Sequence, residues 1–134
     1  MTLKFQLQSG KKLEMDIAPI ETCLNLYRAI LIECKGAGLD LSVATEDTIM
    51  SVLLKNIDAC LNVLSSESVL DSVKDCCPKV IYDKQKFSME LFEKLENRKD
   101  FIPVMMIVAM ENIRPFFASP HIILDALQSQ FLMN

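Results

Sequence analysis

The stretch Ile20-Glu-Thr-Cys-Leu-Asn-Leu-Tyr-Arg-Ala-Ile-Leu-Ile-Glu-Cys34 decides the fold class. Its apolar residues Ile20, Cys23, Leu24, Tyr27, Ile30, Leu31 and Cys34 recur at i, i+3, i+4, i+7, the spacing that brings side chains to one side of a helix. Pro19 precedes the stripe, where a fixed φ suits a helix start. Gly36 and Gly38 follow it, and glycine readily takes the positive φ that ends a helix.

Upstream, the period changes from 3.6 to 2. Leu3-Lys-Phe-Gln-Leu7 alternates apolar and polar, Ser9-Gly10 marks a turn, and Leu13, Met15 and Ile17 resume the alternation. This predicts an N-terminal β-hairpin with one face inward. Two strands alone are marginal in water, so the hairpin must lie on helices or pair with another edge.

Downstream, helical spacing returns. Thr45 is the expected N-cap, with Glu46 and Asp47 in the acid-favouring first turn. Ile49, Leu53, Ile57, Cys60, Leu61 and Leu64 form a second stripe, and Met50, Val52, Leu54 and Val63 add apolar groups on another face. A helix apolar on more than one face is expected at the centre of the protein. Ser65 or Ser66 should cap a short helix carrying Val69, Leu70 and Val73. Val80-Ile81-Tyr82 then reads as extended, with Lys86-Phe87 as its return. Ser88 should cap a helix through Leu95, and Asp100 should cap the next, with Pro103 in its first turn. Pro115 breaks that helix, and Ser119-Pro120 should start the last one. The expectation is a mainly α protein: a compact bundle of five or six helices with an N-terminal β-hairpin. Its 134 residues form a single domain, with the hairpin in 1–18 and the helical body in 19–134.

The final third is unusual in charge. Residues 101–134 hold 21 apolar residues and three charges, Glu111, Arg114 and Asp125. A helix on the surface of a monomer ordinarily has a charged face. This stretch is therefore either core or an apolar surface that binds another copy or another protein. The residues singled out for protein binding are Phe116, Phe117, Ile122, Ile123, Leu127 and Phe131, with the hairpin edge as a second surface. Glu111, the one acid in a strongly apolar helix, is expected to pair with Arg114 at i+3.

Composition narrows the chemistry. The net charge is −4, and no basic patch interleaves with aromatics, so nucleic acid is not an expected partner. No uncharged run exceeds ten residues, and a membrane span needs about 20. No secretory signal is visible at the N-terminus, so the five cysteines are expected to be reduced in a cytoplasmic protein. Cys23, Cys34 and Cys60 fall at apolar-periodic positions, and Cys76-Cys77 lacks companions at metal-ligand spacing. The one His, His121, sits in a cap region beside Pro120. No phosphate-binding loop, dinucleotide fingerprint, zinc-protease helix or nucleophile elbow occurs. No catalytic, cofactor or metal site is expected, and the chain reads as a non-enzyme.

Four strings in order carry a resemblance: Ile81-Tyr-Asp-Lys-Gln-Lys-Phe87, Leu91-Phe-Glu93, Glu96-Asn-Arg-Lys-Asp-Phe-Ile-Pro-Val104 and Asn112-Ile-Arg-Pro-Phe-Phe117. Together they resemble the tail assembly chaperones of long, non-contractile-tailed bacteriophages, over most of the chain. The resemblance implies a short hairpin followed by a helical body. It also implies a self-associating protein of the host-cell cytoplasm that coats the tail tape measure protein, recruits the tail tube protein and is absent from the finished virion. Where that pattern has Asn-Gly, this chain has Asp83-Lys84-Gln85, which argues against a tight turn there. The alternative from composition alone is a small helical adaptor or regulatory domain binding one protein partner.

Overall fold

The computed structural model describes residues 1–42, 44–117 and 124–129. Strands β1 (Leu3–Gln6) and β2 (Lys12–Met15) pair antiparallel, Leu3 opposite Met15 and Phe5 opposite Leu13. Leu13 and Met15 point inward and are fully buried, as the period-two pattern requires. The hairpin does not stand alone. Strand β3 (Val80–Tyr82) pairs antiparallel with β2, and β4 (Gln85–Lys86) pairs with β3, giving a four-stranded sheet in the order β1-β2-β3-β4. The second edge of β2 is thus covered by a distant segment, which corrects the simple hairpin expected from the sequence.

The turn between β3 and β4 is tight after all. Asp83 and Lys84 both have positive φ, 49° and 66°, and Ile81 pairs with Lys86 while Tyr82 pairs with Gln85. This is the two-residue geometry whose twist matches flanking strands, built here without glycine.

Helix α1 (Ile20–Gly36) buries Cys23, Leu26, Ile30 and Cys34. Gly36 stays inside the helix, and the stop is made by Gly38 at φ 75°. The Leu39 N–H donates to Cys34 O at 2.8 Å and the Gly38 N–H to Lys35 O at 3.3 Å, a Schellman ending sealed by buried Leu39.

The long second helix of the sequence reading is two: α2 (Ile49–Lys55) and α3 (Ile57–Leu64). They break at Asn56, whose side-chain amide donates to Val52 O at 2.8 Å, so a local side-chain bond competes with the helical ladder. The segment is central only in part, for α2 buries only Ile49 while α3 buries Cys60, Val63 and Leu64. Helix α4 (Glu67–Asp75) follows Ser66 and buries Val69 and Val73.

Met89–Glu93 forms a 3-10 turn where an α-helix was expected. Helix α5 (Leu95–Ile113) then starts five residues before Asp100, so Asp100 is not its cap and Pro103 lies well inside it. A 3-10 turn, Arg114–Phe116, closes the element at Pro115, and residues 124–129 are again helical.

Asp100 instead faces inward and is 4% exposed. Its Oδ2 accepts from Tyr82 Oη at 2.6 Å and from Ser9 Oγ at 2.7 Å. Neighbouring Asn97, also buried, donates to Leu91 O at 2.8 Å and accepts from Lys11 Nζ. This polar cluster ties the β1–β2 loop and β3 to α5. A second tie lies at the other end of α5. Buried Asn112 accepts the Ala18 N–H at 2.8 Å and donates to Val108 O at 2.8 Å. One contiguous apolar core runs between these ties, from Leu7 to Phe117.

Candidate protein-binding groove

Helix α5 is apolar on two sides. One side, Val104, Met105, Val108, Ala109 and Ile113, is core. The other, Ile102, Pro103, Met106 and Ile107, forms one wall of a groove of about 450 Å³. Met50, Leu53 and Leu54 from α2 and Ile57 and Leu61 from α3 form the facing wall, and Phe5 of β1 also lines the groove. These side chains are not spare core. Leu54 is 65% exposed, and Met50, Ile57, Leu61 and Ile102 are each more than two-fifths exposed.

The groove carries one charge. Glu111 lines it, and its carboxylate lies 3.4 Å from the Arg114 guanidinium, the i+3 pair the sequence suggested. Arg114 Nε is the one buried side-chain nitrogen or oxygen among the described residues without a hydrogen-bond partner. A cleft walled by Leu, Ile and adaptable Met side chains, its one carboxylate already paired, suits the apolar face of a helix.

The residues singled out from sequence divide differently. Phe117 is 4% exposed and packs edge-on against Tyr27, with ring centres 5.5 Å apart, so it belongs to the core rather than to an open surface. Phe116 is half-buried on the same ring at 5.1 Å. Leu127 stands 52% exposed. Ile122, Ile123 and Phe131 lie outside the described residues, as does His121. The groove wall from α2 and α3 was missed. Its signal was present as the additional apolar face at Met50 and Leu54, but apolar residues on several sides were read as central burial.

Burial disfavours the thiolate form at every cysteine. All five are buried. Burial pushes Cys34 up to about 11 and Cys76 and Cys77 up to about 12, and it raises Cys23 and Cys60 as well. Cys77 Sγ donates to Val73 O at 3.3 Å, the behaviour of a packed thiol. Among the described residues no three His, Cys, Asp or Glu side chains gather as metal ligands, and no helix is long and apolar enough to cross a membrane.

No protein-family model, curated protein or solved structure matches this chain.

Proposed function

We propose that this chain is a non-enzymatic, self-associating chaperone of phage tail assembly. It coats a long helical client, the tail tape measure protein, and recruits tail tube subunits in the host cytoplasm. The observation that carries this reading is the exposed apolar groove between α2–α3 and α5. A chaperone for an extended helical client needs such a surface on every copy. Repetition along the client then lets weak single contacts hold collectively. The resemblance of residues 81–117 to tail assembly chaperones supplies the client class, and the buried, protonated thiols favour a binding role over covalent chemistry.

The test is co-expression with a siphophage tape measure protein, read as the client's share in the supernatant and as particle mass by light scattering. The wild-type chain should keep the client soluble, with many copies bound along it. Ile102→Asp, which puts a charge on the exposed groove wall, should release the client to the pellet. A complex with one copy per client would overturn the coating role in favour of an adaptor. A client that precipitates equally with and without the wild-type chain would remove the chaperone reading altogether.

A further inference from the structure

We propose that, when no client is bound, the groove of one copy is filled by the C-terminal helical segment of a second copy, anchored by Leu124 and Leu127. This rests on the self-associating reading above and supplies its contact. Residues 124–129 are helical, and every one of them is exposed. Leu124 and Leu127, three positions apart, share a helical face and are 55% and 52% exposed. Among the described residues, these two leucines therefore form an apolar ridge that stays more than half exposed. Elsewhere the chain carries an apolar groove that is also exposed.

The two surfaces match in kind. The segment 119–134 has one charge, Asp125, and the groove has one, Glu111, already neutralised by Arg114. A helix ridge of two leucines set into a cleft walled by Leu, Ile and Met buries apolar area on both partners without stranding a charge. Ridge and groove are different patches of one molecule, so the contact is head-to-tail. Each copy gives its helix to one neighbour and receives a helix from another. Such an interface extends into an open helix or ring rather than stopping at a two-fold dimer.

The full-length chain tests this by light scattering over a dilution series. Wild type should grow beyond a dimer as concentration rises. Leu54→Asp breaks the groove and Leu127→Asp breaks the ridge. Both side chains are more than half exposed, so each variant should melt with the wild type. Each should shift the association midpoint upward by about tenfold or more. A mixture of the two retains one good groove and one good ridge, and it should form a one-to-one dimer that grows no further. Leu54→Gln and Leu127→Gln repeat the comparison with a milder change should either aspartate lower the melting temperature. An oligomer lost in Leu54→Asp but intact in Leu127→Asp would overturn the proposal and leave self-association standing through groove-to-groove contact. A mixture that stays monomeric would overturn it as well. A wild-type chain monomeric at every concentration would overturn both the proposal and self-association.

Discussion

Tyr82→Phe removes one oxygen and tests whether the sheet is held to α5 by a polar cluster. In the structure the Tyr82 hydroxyl is buried and donates to Asp100 Oδ2 at 2.6 Å. Burial raises its pKa, and the bond to Asp100 raises it further, so the hydroxyl remains a donor at neutral pH. The phenylalanine keeps the ring and its packing against Phe92, 5.0 Å away centre to centre. What is lost is the donor, and a buried carboxyl group is left with Ser9 alone. Bonds to charged groups are worth roughly 1.5–3 kcal/mol each, and that is the expected loss of stability. With about 2.1 cal/mol/K of unfolding entropy per residue, a chain of 134 residues loses ~3–4 °C per kcal/mol. The melting temperature should therefore fall by about 5–11 °C. Ser9 is exposed, and Ser9→Ala should cost less, about 0.5–1 kcal/mol. The two donors share one acceptor oxygen, so the double variant should lose at least about 0.5 kcal/mol more than the sum of the two. Circular-dichroism melts and urea titrations of the four chains measure the cycle. A Tyr82→Phe chain within about 0.5 kcal/mol of wild type, or strictly additive losses, would refute the cluster's role.

Three further outcomes follow from particular contacts. Asn112→Leu strands the part-buried Ala18 N–H and should cost about 1–2 kcal/mol, with faster hydrogen exchange at the Ala18 amide as the specific sign. Cys34, Cys76 and Cys77 stay protonated in the folded chain to about 11, 12 and 12, whereas unfolded thiols ionise near about 8.5. The unfolded state thus releases its protons first. Stability should be flat below that pH and fall above it by up to about 1.4 kcal/mol per pH unit for each thiol; urea midpoints unchanged from pH 8 to pH 10 would contradict this. Lys84→Gly relieves the left-handed φ of 66°. It should raise stability by about 0.5–1 kcal/mol in urea titration, since the relief exceeds the flexibility glycine adds to the unfolded chain.

The parts of the fold legible in the sequence were those set by local periodicity. The stripe from Ile20 to Cys34 located α1, and the alternation around Ser9-Gly10 located β1 and β2, because each pattern spans one element and one buried face. Three things were hidden, two by contacts between distant residues and one by a local side-chain bond. The pairing of β2 with β3 joins Leu13 to Tyr82, and nothing in either segment names the other. Asp100 has the local marks of an N-cap, yet Tyr82 and Ser9 draw its carboxylate inward and α5 runs through it. Asn56 splits a continuous apolar pattern with one side-chain bond. At the candidate site the sequence marked residues 101–134 as poor in charge, and so as either core or a protein-binding surface. For that surface it named Leu127, which is exposed, together with Ile122, Ile123 and Phe131, and the rings of Phe116 and Phe117. Those rings are absorbed by Tyr27, and the open face lies at Ile102, Met106 and Ile107, opposite α2 and α3.

The pairing of β2 with β3 has a consequence for synthesis. Met15 meets Val80, a residue made 65 positions later. At ribosomal rates of about 5–20 residues per second, that interval is roughly 3–13 s. For all of it the nascent hairpin presents the unpaired backbone of β2 and the apolar side chains of Leu13 and Met15 to the cell. A free strand edge of this kind is where one growing chain can join another. Helices α1 to α4 emerge in the meantime, and their collapse brings the two ends of the sheet together. The order of manufacture therefore makes the helical middle the guardian of the sheet, and damage to α1 should surface first as co-translational aggregation rather than as a weakened final product.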